Sequence, residues 1–325
     1  MPKILVTGGA GYIGSITTHH LLHRGFEVIV ADDLSRGHRE SVPAGLLQVV
    51  RLQDTDALTQ LLQGVDAVVH FAGVIAVGES TREPEFYYSN NVGGSLSLFE
   101  AMARAGVARL VFSSTAALYG NPERVPIPED ATIAPVSPYG ESKAIVERIL
   151  RDLDHYRGLR SVCLRYFNAC GAEPAANLGE LHEPETHLIP LLLRAISTGA
   201  PIKIFGDDYP TRDGTCVRDY IHVADLAEAH VMALDHLLSG GASDQFNAGT
   251  GEGLTVMEVL KAVERETGKA IPYEIAPRRE GDAAELVADS AKLRRAMGWQ
   301  PKRSGLDEIV RDAWAFFQSA GRVAQ

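Results

Sequence analysis

The chain has 325 residues, of which 45% are hydrophobic and 22% are charged, which is the composition of an ordinary globular protein. Its formal net charge of −11 repels nucleic-acid phosphates and argues against a role in binding nucleic acid. The sequence has no apolar run of bilayer-spanning length and no signal-peptide pattern, and its three cysteines, Cys163, Cys170 and Cys216, lack CxxC spacing. We therefore expect a cytoplasmic protein with reduced thiols and no membrane contact.

Apolar segments alternate with amphipathic helical segments through the first half of the chain. The apolar segments are nearly continuous, as expected for strands covered on both faces, so the pattern predicts an α/β fold with a doubly wound parallel sheet. In chain order, the predicted elements are a strand at 3–9, a helix at 13–25, a strand at 26–33, a helix at 56–65, a strand at 66–73, a long helix at 85–106, a strand at 108–115, a helix from 137 and a strand at 159–168.

The alternation of strand and helix ends after Gly171. A loop rich in Pro, Asn and Glu follows, and the remaining segments mix short strands with helices. We predict two domains, residues 1–180 and a smaller mixed α/β domain at 181–325, partly interleaved. The later predicted elements are a helix at 188–197, short strands within 202–223 and helices at 226–238, 255–268 and 306–317.

The first strand runs into a glycine-rich loop that opens the first helix. Gly9, Gly11 and Gly14 form G-x-G-x-x-G, with Gly8 immediately before them. Such a loop lets the backbone approach a pyrophosphate at the positive end of a helix. A glycine-rich turn without a ligand is the alternative interpretation, but the strand–loop–helix context favours a dinucleotide site.

Asp32 ends the second predicted strand, 18 residues after Gly14. A carboxylate there can accept both ribose hydroxyls of an adenosine and repels a 2′-phosphate, so we expect NAD rather than NADP. Arg36 could weaken that preference, although it lies beyond Asp33. Asp54 could accept the adenine amino group or cap the following helix, and the sequence leaves both open.

Tyr139 and Lys143 lie four residues apart at the start of the helix that Ser137 caps, so both face the same side. Removing a proton from an alcohol requires a base, and a free tyrosine with a pKa of about 10 is a poor one. A cation one turn away, together with a positive nicotinamide ring, would favour the phenolate. An amphipathic helix with a chance Tyr–Lys pair is the alternative, which the glycine loop and Asp32 make less attractive.

The chain resembles the extended short-chain dehydrogenases/reductases, and among them the UDP-sugar 4-epimerases. The resemblance covers essentially the whole chain, and its most specific segments belong to the half that binds the nucleotide sugar. The segments are VTGGAGYIGS, HFAGVIAVGES, EFYYSNNVGG, VFSSTAALYG, SPYGESK, LRYFNACGA, IFGDDYPTRDGTCVRDYIHV and APRREGD.

The resemblance implies a Rossmann-like fold with an NAD-binding domain at 1–180 and a nucleotide-sugar domain at 181–325, and a homodimer that interconverts UDP-galactose and UDP-glucose. It implies catalysis by Tyr139, Lys143 and Thr115. Implied cofactor contacts are Gly8, Gly11, Tyr12, Ile13, Gly14, Asp32, Asp33, Leu34, Ser35, Arg36, Asp54, Thr55, Phe71, Ala72, Gly73, Asn91, Thr115, Tyr139, Lys143 and Phe167. Implied UDP-hexose contacts are Thr115, Tyr139, Asn168, His187, Lys203, Ile204, Phe205, Arg218, Arg279, Asp282 and Leu286.

Several alternatives remain at this point. Arg218 and Arg279 could pair with Asp219 and Glu280 on the surface instead of holding a diphosphate. Ile75 stands where well-known bacterial members carry a lysine near the cofactor. We expect no metal, because Pro184 breaks the helix that a His-Glu-x-x-His site at 182–187 would need, and because His19, His20 and His23 are more typical of a solvated helix.

Three other functions are alternatives on the sequence alone. A nucleotide-sugar dehydratase needs an acid and a base beside the threonine, where Ala116 and Ala117 stand. A 4-epimerase for UDP-N-acetylglucosamine, UDP-glucuronate or UDP-arabinose is closer. A non-catalytic NAD-sensing regulator would not need both Tyr139 and Lys143.

Overall fold

The computed structural model describes residues 1–279 and 281–321, and their centre is a seven-stranded parallel sheet. The strand order is β10-β6-β5-β4-β1-β2-β3. The strands of this sheet are β1 (Lys3–Thr7), β2 (Glu27–Asp32), β3 (Leu47–Val49), β4 (Ala67–His70), β5 (Arg109–Ser113), β6 (Arg160–Tyr166) and β10 (Asp244–Ala248). The predicted fold class, a doubly wound parallel sheet, is confirmed.

Helices cover both faces of this sheet. The helices of the chain are α1 (Tyr12–His23), α2 (Thr55–Leu61), α3 (Val77–Ser80), α4 (Pro84–Tyr87), α5 (Gly94–Ala105), α6 (Pro138–Arg157), α7 (Leu188–Thr198), α8 (Val223–Leu238), α9 (Val256–Thr267), α10 (Ala291–Met297) and α11 (Leu306–Ser319). Alternate residues of each strand face opposite ways. In β1, Ile4 and Val6 therefore pack in the core with α1 and α8, whereas Leu5 packs in the core with α2, α5 and α6.

The chain reverses its direction of winding between β1 and β4. From β1 it builds outward through β2 to β3, and it then returns to place β4 on the other side of β1. In open α/β sheets, ligands bind in the crevice at the carboxyl ends of the strands at such a reversal. The topology therefore locates the candidate site at the ends of β1 and β4.

The remaining strands form two small sheets beside that edge. These strands are β7 (Asn168–Cys170), β8 (Ile202–Phe205), β9 (Val217–His222), β11 (Gly253–Thr255), β12 (Tyr273–Ala276) and β13 (Glu285–Leu286). Strand β9 pairs with β7, β11 and β13, and β8 pairs with β12. Helices α7, α9 and α11 bury a separate apolar core against them.

Several elements were not among those predicted from the sequence, including α3 and α10. The long helix expected at 85–106 is interrupted: a π-helical turn at Tyr88–Gly93 separates α4 from α5. Strand β10 was not predicted, because its sequence DQFNA is too polar to indicate a buried strand, yet it forms an edge of the large sheet beside β6. No helix among the described residues is both long and apolar enough to cross a bilayer.

Candidate active site

The glycine loop after β1 lies against the segment that follows β4. Gly8 has φ of +72°, and a Cβ atom there would lie 2.5 Å from the backbone nitrogen of Ala72. A Cβ atom at Gly14 would lie 2.2 Å from the carbonyl oxygen of Gly8. Both are contacts with backbone that cannot move aside, so the tight path of the loop requires glycine at these positions.

Helix α1 begins at this loop, and its first turn has no acidic side chain that would compete with a bound anion for the amide groups. Gly11 is its N-cap, Tyr12 and Ile13 are its first residues, and no acidic side chain lies in the first turn. The Tyr12 hydroxyl donates to the carbonyl of Gly171 at 2.7 Å, which fixes the start of the helix against the chain beyond β7. A pyrophosphate fits here, since the helix dipole and unpaired N–H groups favour an anion.

Asp32 is buried at the end of β2. Its carboxylate accepts hydrogen bonds from the backbone nitrogens of Ala10 and Leu34, each at 2.9 Å. Burial raises the pKa of Asp32, and these two hydrogen bonds oppose that effect. Each carboxylate oxygen has a second lone pair, so the group can still accept ribose hydroxyls.

The residues after Asp32 form a turn that begins with the Leu34 hydrogen bond to that carboxylate. Asp33 accepts from the backbone nitrogen of Ser35 at 2.9 Å, and Leu34 has φ of +60°. Arg36 donates to Glu79 at 2.7 Å and to the carbonyl of Glu183 at 3.2 Å. Its influence on the choice between NAD and NADP stays a prediction.

Asp54 caps α2, which is one of its two predicted roles. Its Oδ1 atom accepts from the backbone nitrogen of Ala57 at 3.0 Å, and Thr55 is the first helical residue. A contact between the other carboxylate oxygen and adenine stays a prediction.

Tyr139 and Lys143 lie on the first turns of α6, which Ser137 caps by accepting from the backbone nitrogen of Gly140 at 3.2 Å. Both side chains are buried. Thr115, two residues after the end of β5, is also buried, and its side chain acts to lower the pKa of the Tyr139 hydroxyl. The Lys143 ammonium donates to the carbonyl of Ser113, at the end of β5, at 3.0 Å. The structure thus brings together the three predicted catalytic side chains.

Burial dominates the pKa values of both side chains in the chain without NAD. It raises the pKa of Tyr139, opposed by the neighbouring Thr115 side chain. It lowers the pKa of Lys143 from 10.5 to about 8. The expectation that Lys143 and a positive nicotinamide ring together favour the phenolate concerns the site with NAD bound, so it stays a prediction.

Asn91 links three segments of the chain through its side chain. Its side-chain oxygen accepts from the Val74 nitrogen at 2.9 Å, and its amide donates to the Val74 carbonyl and the Ser142 hydroxyl, both at 3.0 Å. It therefore joins the π-helical turn, the segment after β4 and helix α6. A Cβ atom at Gly73 would lie 3.0 Å from the Asn91 oxygen and 3.7 Å from the Lys143 ammonium, so this segment borders Lys143. A contact between Asn91 and the cofactor stays a prediction.

Sequence reasoning missed several polar side chains at the sheet edge. Tyr166, at the end of β6, shares a 2.7 Å hydrogen bond with Ser113. His70, at the end of β4, contacts Thr7 at 2.7 Å and Ser95 at 3.0 Å. Their positions at carboxyl ends of parallel strands were the available signal. The ring of Phe71, the next residue, packs at a tilt against that of His230, with centroids 4.6 Å apart.

Three residues expected to hold the UDP-hexose lie on the small sheet around β9. Asn168 begins β7, its amide donates to the Asp219 carbonyl at 3.1 Å, and Leu286 on β13 pairs in register with Arg218 on β9. Leu286 packs with Phe167 against a core cluster that contains Ala116, the residue after Thr115. This arrangement connects the strand of Arg218 with Thr115.

Arg218 is not paired with Asp219, as the surface alternative required. Arg218 donates to the carbonyls of Val217 at 2.8 Å and Ala283 at 2.9 Å, and lies 3.5 Å from Asp282. Asp219 is instead fully buried and accepts backbone N–H groups around Thr250. Arg218 therefore points toward the segment after Arg279.

Arg279 stacks on an aromatic ring at the end of β8. Its guanidinium carbon lies 3.9 Å from the ring centroid of Phe205. Of the neighbouring predicted residues, Ile204 is buried and Lys203 is exposed. Glu280, the other proposed ion-pair partner, lies outside the described residues.

His187 belongs to a polar cluster rather than to an isolated helix start. Its Nδ1 atom lies 2.5 Å from Glu180 and 3.3 Å from Glu185. The nearby carboxylates raise the pKa of His187 to about 10. Ile75, which stands where well-known bacterial members carry a lysine, is 40% exposed.

All three cysteines are free thiols.

Comparison with known proteins places this geometry among nucleotide-sugar epimerases. The NAD dependent epimerase/dehydratase family matches residues 4–249. The UDP-glucose 4-epimerase of Azospirillum brasilense is 49% identical over 98% of this chain and 92% of its own length, and that of Lactobacillus helveticus is 46% identical over 98% and 97%.

The chain is also similar to solved structures of UDP-glucose 4-epimerases. UDP-glucose 4-epimerase from Brucella ovis, in complex with NAD, is 43% identical with a TM-score of 0.95, covering 98% of both chains. The enzyme from Stenotrophomonas maltophila, with bound NAD and formylated UDP-arabinopyranose, is 40% identical with a TM-score of 0.96, covering 100% of both chains.

The buried lysine leads to a prediction about pH. Between about pH 8 and 10.5 the folded chain binds fewer protons at Lys143 than the unfolded chain, so this residue makes the free energy of unfolding rise with pH across that window. Below pH 8 the charged lysine destabilises the fold, by about 1.4 kcal/mol for each unit of pKa lowering. The stability of Lys143→Met relative to the wild type should therefore be greatest near neutral pH and fall as the pH approaches 10.5.

The measurement is urea unfolding of both proteins, freed of nucleotide, at several pH values. Lys302→Met, which removes an exposed lysine, is the control and should follow the wild-type pH dependence. An identical pH slope in Lys143→Met and the wild type would show that Lys143 is not desolvated.

Proposed function

The chain belongs to the NAD-dependent epimerase/dehydratase family, and we propose that it interconverts UDP-galactose and UDP-glucose by reversible oxidation at C4 of the hexose. The observation that carries the proposal is that Tyr139, Lys143 and Thr115 are all buried at the end of β5, where Lys143 donates to the Ser113 carbonyl at 3.0 Å, beside a glycine loop built for a pyrophosphate. A proton acceptor, an alcohol-binding hydroxyl and a dinucleotide loop at one sheet edge suit oxidation of a secondary alcohol.

NAD fits the residues at the ends of β1, β2 and β4. The amide groups that begin α1 at Tyr12 and Ile13 would hold the pyrophosphate, and the Asp32 carboxylate would accept the adenosine ribose hydroxyls. When bound, NAD would accept a hydride from C4 of the hexose and later return it. Its positive nicotinamide ring would also lower the pKa of Tyr139, which burial raises.

Tyr139 is the acid–base residue of the proposed mechanism. Its oxygen takes the proton of the 4-hydroxyl during oxidation and gives it back during reduction, while the Thr115 hydroxyl orients the same hydroxyl. Lys143 donates to the Ser113 carbonyl and would also hold the nicotinamide ribose. Its charge would favour the Tyr139 phenolate when NAD is bound.

The UDP portion of the substrate is assigned to the small sheet around β9. Arg218 and Arg279 provide guanidinium groups that suit a diphosphate. Asn168, His187, Asp282 and the chain at Lys203, Ile204 and Phe205 would complete this binding surface. Because the anchor is remote from C4, the hexose can turn between oxidation and reduction and present its opposite face.

The proposal includes a division of labour between two domains and a homodimer. Residues 1–180 would bind NAD and 181–325 the nucleotide sugar, with β10 and α8 crossing back to the first domain. The exposed apolar side chains Leu96 on α5 and Phe86 on α4 offer a surface for a second copy of the chain. Free thiols fit a cytoplasmic enzyme, and the pathway in this setting would be galactose metabolism.

Replacing Tyr139 with phenylalanine tests the base. Purified protein given UDP-galactose, with no added nucleotide, should form UDP-glucose, and Tyr139→Phe should reduce the turnover rate by about 10²–10⁴-fold, the usual contribution of a general acid–base group. Bound NAD and the fold should be unchanged. Tyr156→Phe, on the same helix but 78% exposed, is the matched control and should keep wild-type activity. Epimerisation by Tyr139→Phe at the control rate would exclude Tyr139 from the mechanism.

Leu286 should set the tolerance for a substituent at C2 of the hexose. Its packing beside Phe167 and its register with Arg218 put it between the diphosphate anchor and the catalytic threonine. We expect clear activity on UDP-galactose and weaker activity on UDP-N-acetylgalactosamine. Leu286→Tyr should abolish the second activity by steric exclusion, and Leu286→Ser should increase it.

The readout is the ratio of kcat/KM for the two sugars in each variant. Apolar pocket fit alone discriminates by only about 10–200-fold per methylene, so a larger change in the ratio indicates a clash. An unchanged ratio in both variants would mean that Leu286 does not line the sugar pocket.

A further inference from the structure

Four potential metal ligands converge in the segment before α7. The side chains of Glu180, His182, Glu185 and His187 each offer one ligand atom, and these atoms all lie within 4.8 Å of one another. The Nδ1 atom of His182 lies 2.9 Å from Glu180, and that of His187 lies 2.5 Å from the same oxygen. Two carboxylates and two imidazoles therefore share one small volume.

One buried polar atom of this cluster lacks a partner. Within residues 1–279 and 281–321, the Oε2 atom of Glu185 makes no hydrogen bond. The side chains of Glu185 and Glu180 are each only 6% exposed. An unsatisfied buried polar atom is costly, and native structures contain few of them. A further ligand at the centre of the cluster would satisfy the Glu185 oxygen.

We propose that Glu180, His182, Glu185 and His187 bind one divalent transition-metal ion of the zinc type. Imidazole nitrogens with carboxylate oxygens are ligands that zinc accepts, at about 2.0–2.2 Å in a tetrahedral arrangement. Such distances place neighbouring ligand atoms about 3.3–3.5 Å apart. The observed separations of 2.5, 2.9 and 3.3 Å, within an overall spread of 4.8 Å, require only small side-chain adjustments.

The sequence-based expectation of no metal rested on the absence of a helix at 182–187. The ligands here converge from an irregular segment instead, so Pro184 does not prevent them from meeting. The backbone on both sides is fixed: the nitrogens of Thr186 and His187 donate to Glu185 at 2.7 and 2.8 Å, and the Leu181 carbonyl contacts His38 at 2.7 Å. The donors are thus held in place before any ion arrives.

The site would be structural. Asp32 is the last residue of β2, and Arg36 and His38 belong to the loop that follows it. Both side chains contact carbonyls of the 181–183 segment. The ring of Tyr12, at the start of α1, meets that of His182 edge-on at 6.2 Å. An ion at the cluster would therefore connect the start of α7 with both parts of the dinucleotide site, without taking part in the chemistry. This proposal does not depend on which sugar the enzyme uses.

Zinc is the probe for the test. Untagged full-length protein is equilibrated with zinc chloride, freed of unbound metal by gel filtration and analysed for metal by mass spectrometry, with affinity measured against a chromogenic chelator. We expect one zinc per chain and a raised Tm in its presence. His182→Asn and Glu185→Gln should each weaken zinc binding by more than the roughly 10–100-fold typical of losing an outer-shell partner.

His23→Asn is the matched control, because His19 and His23 on α1 form a second imidazole pair with ring centroids 4.1 Å apart. This variant should bind zinc as the wild type does. Circular dichroism and NAD content establish that the variants are folded. The proposal is overturned if the wild type does not retain zinc, if both cluster variants still bind it with unchanged affinity, or if His23→Asn loses it. The cluster would then be an ion pair only.

Discussion

The hydrogen bond from the Lys143 ammonium to the Ser113 carbonyl fixes helix α6 against the carboxyl end of strand β5. Tyr139 lies one turn earlier on the same helix, so its position near Thr115 depends on that attachment. The carbonyl that accepts the lysine belongs to a strand in the middle of the sheet, between β4 and β6. A buried charge is thereby held at the end of β5, at a cost in stability that the lowered pKa of the lysine records.

A buried network of hydrogen bonds, beginning one turn after Lys143 on α6, also holds this helix against the sheet. Glu147, one turn after Lys143, accepts from Arg165 on β6 at 3.0 and 3.1 Å and from Ser114 at 2.5 Å. Arg165 also donates to Tyr119 at 2.9 Å, and Tyr119 donates to Asn247 on β10 at 2.7 Å. A buried ion pair adds little to stability, but removing one partner leaves an uncompensated charge. The network therefore specifies one position of α6 relative to β5, β6 and β10.

The sequence predicted those parts of the molecule whose signals are local. Apolar strands, the glycine loop and the Tyr139–Lys143 spacing each occupy one short segment, and the structure places all of them as elements of one sheet edge. Strand β10 was missed because its sequence is polar and its place depends on pairing with β6. The direction of the Lys143 ammonium, the linking role of Asn91 and the cluster around Glu185 were missed because each depends on side chains distant in sequence or on an irregular backbone. The roles assigned to individual substrate residues remain proposals.

The central claim is that the hydrogen removed from C4 stays in the site and returns to the same carbon. UDP-galactose carrying deuterium at C4 distinguishes this from removal of a proton to solvent. In ordinary water the account predicts that the UDP-glucose formed retains deuterium at C4. Product in which that deuterium has been replaced by hydrogen from solvent would contradict the hydride mechanism and the roles given to Tyr139 and the dinucleotide loop.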